Sequence, residues 1–141
     1  MRAKLRDIAQ ASGADPKGAL FDAVKDTLPG YEPLHNFILV ATYIQPEKTK
    51  GGVFLPDRSL DEDRFQGKVG LVLAIGPMAF VDDAVNKFGG KYVCVGDWVR
   101  FRPSDTAEIF LSDGTGGSGI PCREVADNNI RARLSNPDLI Y

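Results

Sequence analysis

Residues 47–65 read EKTKGGVFLPDRSLDEDRF. Nearly every position is charged or turn-forming, yet Val53, Phe54 and Leu55 stand together in the middle. Burying one large apolar side chain is worth roughly 1.5–3 kcal/mol, so three adjacent ones in a polar segment need a reason. Three readings compete. The tripeptide is a short core strand, an aggregation-prone run guarded by charged flanks, or a docking motif carried on a mobile loop. Gly51 and Gly52 before it, and Pro56-Asp57 after it, favour an isolated presentation. Composition alone leaves core strand and docking motif open.

On both sides of this segment the pattern is that of β-strands. NFILVATYI (Asn36–Ile44) is a β-branched and aromatic run bounded by Pro33 and Pro46. GKVGLVLAIG (Gly67–Gly76) is a second strand. In YVCVGDWVRFRP (Tyr92–Pro103) a Gly96-Asp97 turn precedes an alternation of Trp98, Arg100 and Arg102 with Val99 and Phe101. AEIFLSDG (Ala107–Gly114) is another strand, closed by the Gly-rich turn DGTGGSG. IPCREVADNNIRARL (Ile120–Leu134) supplies one or two more, and the tail 135–141 is expected to be loosely attached. Several short strands with Gly and Pro turns predict a mainly β chain, a small barrel or sandwich.

The N-terminal residues differ. Asp15-Pro16 reads as a helix start, with Asp at the N-cap and Pro at the first helical position. Leu20, Phe21, Val24 and Leu28 recur on one helical face, and Pro29-Gly30 ends the pattern. One short amphipathic helix is expected from about Pro16 to Leu28. Its stripe needs a surface, either the same domain or a neighbouring subunit.

A chain of 141 residues suggests one domain with an appendage. With 43% hydrophobic and 26% charged residues it can build a core, and its net charge of -2 shows no basic face for nucleic acid. No apolar run approaches the roughly 18 residues that span a bilayer. MRAKLRDIAQ lacks the apolar centre of a secretory signal, and Asp7 and Asp15 do not fit a transit peptide, so the cytoplasm is the expected compartment. Cys94 and Cys122 have no metal-type spacing and are each read as a buried reduced thiol. His35, the one histidine, has no triad pattern around it and is read as structural. Gly114–Gly119 lacks the Lys-Ser/Thr ending of a phosphate loop. Asp61–Arg64 does not have the spacing of a calcium loop and is read as solvated. No cofactor, no metal and no enzymatic activity are expected.

The order of segments resembles the GroES-type co-chaperonin family. PLHNFILV (Pro33–Val40) is similar to that family's opening strand. TKGGVFLP (Thr49–Pro56) is similar to its mobile-loop signature, in which Gly-Gly precedes an apolar tripeptide. GKVGLVLAIGP (Gly67–Pro77) looks like the strand after the loop, VGDWVRF (Val95–Phe101) like its Val-Gly-Asp-x-Val segment, and EVADNNIRARL (Glu124–Leu134) like its closing strand. The resemblance implies a GroES-like β-barrel at 33–134, with a mobile loop at about 46–65 and a roof-like segment at about 76–92. It leaves 1–32 as an extension bearing the helix and 135–141 as a tail.

The resemblance further implies a co-chaperonin that caps a GroEL-type chaperonin ring and closes its folding chamber. The chaperonin-binding residues would be Gly51, Gly52, Val53, Phe54 and Leu55. It implies self-assembly into a ring, a heptamer, with no nucleic acid and no membrane as partner. Rings of the family are expected to close by pairing the first barrel strand with a neighbour's last, here Asn36–Val40 with Ile130–Leu134. Phe54 is larger than the family's usual middle residue, and 76–92 lacks a clear Asn-Gly hairpin turn. Divergence with an added arm is what a bacteriophage-encoded member would show, which would place the protein in a host's cytoplasm. The alternative is a GroES-like structural or virion-associated assembly protein, since fold does not fix function. An enzyme with a GroES-like domain is disfavoured, because zinc ligands and a dinucleotide-binding domain are both missing from the sequence.

Overall fold

The computed structural model describes residues 16–43, 68–112, 114 and 119–139. The apolar runs become β1 (Phe37–Thr42), β2 (Val69–Ile75), β3 (Trp98–Phe101), β4 (Ala107–Leu111), β5 (Ile120–Ala126) and β6 (Ile130–Leu134). All six join one sheet in the order β4-β5-β1-β2-β3-β6, and every pairing is antiparallel. The fold is therefore mainly β with one short helix, as expected. Among the described residues no backbone ladder closes the sheet, and β4 and β6 stand at its two ends. The turn before β4 is tied to β6 and the turn before it: Asn129 Nδ2 donates to the Asp105 carbonyl at 3.4 Å, and Arg131 Nη2 lies 3.7 Å from Asp105 Oδ2.

The centre of the sheet is buried on both faces, which is why β1 and β2 read as unbroken apolar runs rather than alternations. Ile38, Val40, Val72, Val99, Phe101 and Val125 cluster on one face. Leu39, Ala41, Tyr43, Leu71, Leu73, Trp98, Cys122 and Leu134 cluster on the other. The second face is covered by helix α1 (Pro16–Val24), whose Leu20 is 5% exposed and Val24 fully buried. The apolar stripe of the extension thus lies on its own barrel.

Helix α1 stops at Val24, one turn short of the Leu28 expected from periodicity. Pro29 disfavours the helical region for the residue before it. The chain instead tightens through Thr27 N–H to the Val24 carbonyl at 3.1 Å and then forms a 3-10 turn at Leu28–Gly30. The Thr27 hydroxyl also donates to the Ser112 carbonyl at 2.5 Å, fastening this corner to the end of β4.

β4 and β5, which flank the Gly-rich segment in sequence, pair antiparallel with Leu111 opposite Ile120. Gly119, just before β5, sits at φ +85°, and a Cβ there would come 2.7 Å from the Leu111 carbonyl oxygen, so another residue could not lead into the strand without strain.

Two expectations are corrected. Cys122 is buried, but Cys94 is exposed, its amide donating to Asp97 Oδ2 at 2.8 Å in the turn that follows. The strand pairing between neighbours is also not available as expected. β1 is central, bonded to β2 on one side and β5 on the other, while β6 pairs with β3 of the same chain.

Candidate functional site

Gly51, Gly52, Val53, Phe54 and Leu55 lie outside the described residues, as does Asp61–Arg64. The structure does describe the root from which residues 44–67 depart and to which they return. β1 and β2 are antiparallel neighbours, with Thr42 opposite Gly70. One residue further out, the Tyr43 amide donates to the Val69 carbonyl at 2.9 Å. The returning strand is fixed from its other side, where the Phe101 amide donates to the Lys68 carbonyl at 2.9 Å. Tyr43 and Trp98 meet edge to face, with ring centroids 5.3 Å apart and planes at 70°. Both rings are buried, at 8% and 5% exposure. An aromatic pair of this geometry adds roughly 0.5–1.5 kcal/mol beyond its burial. Residues 44–67 therefore leave and re-enter the barrel at one rigid point.

The roof-like segment is built differently from a hairpin. Between Gly76 and Asp97 it forms no strand. Its anchor is Asp127, 4% exposed, at the turn between β5 and β6. One carboxylate oxygen accepts from Asn36 Nδ2 at 2.9 Å and from the Asn128 amide at 2.7 Å. The other accepts from the Phe80 amide at 2.9 Å. Phe80 is held at φ +63°, a region that side chains rarely adopt, and its ring meets Phe88 edge to face at 5.4 Å. A buried carboxylate with three donors can hold such a conformation, because removing it would leave those donors unsatisfied. His35 belongs to the same corner. Its side chain is exposed, and at φ +55° its carbonyl accepts the Met78 amide at 2.8 Å.

The electrostatics are those of a scaffold. Arg102 donates to Asp105 at 2.9 Å and holds that carboxyl below its ordinary range. Burial pulls the Arg123 guanidinium down, and Glu108, 4.0 Å away across β4 and β5, opposes the shift. The Asp83 carboxyl is lowered by the Asn86 and Val85 amides that it accepts. Burial, and then the hydrogen bond to Glu124 at 2.6 Å, push the Tyr31 phenol up. Burial raises the Cys122 thiol to about 12. Among the described residues no group of His, Cys, Asp or Glu is placed to hold a metal ion, and no helix is long and apolar enough to cross a membrane.

Sequence reasoning singled out the tripeptide and missed the parts that hold its root, Tyr43 and Trp98, and the roof anchor Asp127. The signal for the first pair was faint: two aromatics, one of them the only tryptophan, at the ends of separate apolar runs. Asp127 gave no signal beyond the polar turn Asp127–Asn129.

Comparison with known proteins agrees with this architecture. A family model described as the chaperonin 10 Kd subunit matches residues 30–116. The match takes in β1 to β4, the root and the roof-like segment, and begins after α1. A co-chaperonin GroES of Methylorubrum populi is 32% identical over 79 residues, which is 56% of this chain and 76% of that protein. A co-chaperonin GroES of Parvibaculum lavamentivorans is 37% identical over 79 residues, 56% of this chain and 70% of that protein.

Proposed function

The chain belongs to the chaperonin 10 Kd subunit family, and on that premise we propose that it is a co-chaperonin that caps a GroEL-type chaperonin. It is not an enzyme. In this reading a ring of identical subunits, a heptamer, closes the folding chamber in the cytoplasm. Gly51, Gly52, Val53, Phe54 and Leu55 are the docking residues, with Val53, Phe54 and Leu55 entering an apolar groove of the chaperonin.

The observation that carries the reading is the root. Tyr43 and Val69, joined by one hydrogen bond of 2.9 Å, hold both ends of the segment containing the tripeptide at a single point of a rigid barrel. Val53 follows Tyr43 by about ten residues, so the contour lets it reach some 30 Å from the root. A chain with that reach can find a groove that the barrel itself never touches.

The energetics suit a reversible cap. Burying three large side chains gives roughly 5–9 kcal/mol at roughly 1.5–3 kcal/mol each. Ordering the segment takes back about 2–5 kcal/mol or more, and association takes more again. One loop therefore binds weakly, and several loops on one ring gain about 10²–10⁴ in avidity. Weak single contacts also permit release when the chaperonin changes state.

The test is to mix the purified protein with a GroEL-type ring and nucleotide, and to measure binding by native mass spectrometry and refolding of a client that needs an enclosed chamber. A complex with one co-chaperonin ring per chaperonin face, and a raised yield of client, is the expected result. A ring that forms but neither binds the chaperonin nor aids refolding would overturn the reading and leave a structural assembly role.

A further inference from the structure

Residues 1–29 lie outside the family match, which starts at residue 30, yet α1 is buried against the barrel at the place where the docking segment is rooted. Leu20 and Val24 belong to the same buried cluster as Tyr43, Val69 and Trp98. These three residues make up the root: Tyr43 and Val69 form its closing hydrogen bond, and Trp98 is the ring against which Tyr43 stands. The start of α1 points the same way. Lys17 shares a cleft with Gly96, Asp97, Trp98, Arg133, Leu134 and Ser135. The helix therefore covers the end of its face at which Tyr43 and Trp98 lie. Its far end is fastened separately, by the Thr27 hydroxyl on the Ser112 carbonyl.

The opposite face has its own cluster, Ile38, Val40, Val72, Val93, Val99, Phe101 and Val125, which does not include α1. Removing packing from α1 thus acts first on one face. Local opening in proteins occurs in units set by such packing, at free energies below that of global unfolding.

We infer that α1 is a buttress for the root of the docking segment: Leu20 and Val24 hold Tyr43 and Trp98 in place and so set how firmly residues 44–67 are anchored. They are positioning residues and touch no partner. The consequence for chaperonin affinity rests on the function proposed above, whereas the consequence for the root does not.

The experiment uses the full chain carrying Leu20→Ala and Val24→Ala together. Amide hydrogen exchange is read at Tyr43 and, as a control, at Ile38 and Val125 in the ladder between β1 and β5, alongside emission from Trp98, the only tryptophan. The expected result is exchange at Tyr43 faster by about tenfold or more with the control amides within about twofold, and a red-shifted Trp98 emission. Leu20→Met, which keeps the apolar volume, should restore both. Equal acceleration at all three amides would show that α1 only adds global stability and would overturn the proposal, as would unchanged exchange at Tyr43. If the double variant does not fold, Leu20→Ala alone is judged by the same ratio. Binding to a GroEL-type ring is measured in parallel, and the variant should bind several-fold more weakly than the unaltered chain. If the unaltered chain does not bind, the functional reading fails and the exchange ratio still decides the buttress. If it binds and the variant binds equally with a loosened root, anchoring is irrelevant to docking and that part of the proposal falls.

Discussion

Gly70 sits inside β2, where a Cβ would stand 3.0 Å from Phe101 Cε1 and 3.0 Å from both Cβ and Cγ2 of Val40. Both neighbours are fully buried and have no room to retreat. Gly70→Ala should therefore destabilise the fold by about 1–3 kcal/mol, the usual range for overpacking, as read from the urea midpoint. A midpoint unchanged by the substitution would mean that Phe101 can move. The sequence reading passed over Gly70 within a single strand, because the ring that requires it, Phe101, comes from a different strand. Cys122 gives a second prediction at this scale. Its thiol is raised to about 12 when folded, against 9.0 for the free group. Below about pH 9 both states keep the proton, and the contribution of the neutral buried thiol is fully present. Between about pH 9 and 12 the unfolded state loses the proton and the folded state keeps it. Stability therefore falls with pH across that window, by at most about 1.4 kcal/mol per unit from this group. Cys122→Val should flatten that part of the pH profile, and the exposed Cys94 should react with a thiol reagent at pH 8 while Cys122 does not.

Strand positions were legible because apolar runs and Gly or Pro turns are local signals, and β1 to β5 fall within the runs that announced them. Strand partners were not. Pairing of β6 with β3 joins Leu134 to Trp98 across the intervening hairpin, and nothing local encodes it. A family-level expectation instead assigned Ile130–Leu134 to a neighbouring subunit. The structure changes what a truncation should do. Deleting residues 130–141 would uncover the whole edge of β3 and remove Leu134 from the cluster that contains Trp98. The expected product is an unfolded or aggregated chain with lost β-sheet circular dichroism, rather than folded monomers. Recovery of folded monomers by native mass spectrometry would show that β6 is dispensable to the protomer and serves assembly. The end of α1 was missed for a comparable reason. Periodicity carried the helix to Leu28, while Pro29 and the Thr27 contact to Ser112 stopped it at Val24.

At the scale of the whole molecule, the barrel and segment 47–65 have opposite designs. The barrel buries its apolar residues on two faces, and segment 47–65 surrounds three of them with charge. That contrast was legible because it needs no tertiary partner: Val53, Phe54 and Leu55 are anomalous in their own neighbourhood. Their role was not legible from composition, since a short core strand would look the same, and it is the order of family motifs that favours the docking reading proposed above. The fold adds one constraint. The paired ends at Tyr43 and Val69 are already capped within the barrel, and every described strand of the sheet finds its neighbours without help from residues 44–67. A charge placed on Phe54 should therefore leave the fold intact and act only on what Phe54 meets elsewhere. Burying an unpartnered carboxylate in an apolar groove costs far more than the roughly 1.5–3 kcal/mol that one apolar side chain contributes. On a ring the penalty is repeated at every subunit, so avidity multiplies the loss instead of masking it. Phe54→Asp should keep the thermal midpoint and the assembled mass of the unaltered protein, and should lose chaperonin binding altogether. A variant that fails to fold or assemble would place Phe54 in the core and remove the docking role. A variant that binds as before would move the contact to another part of the chain.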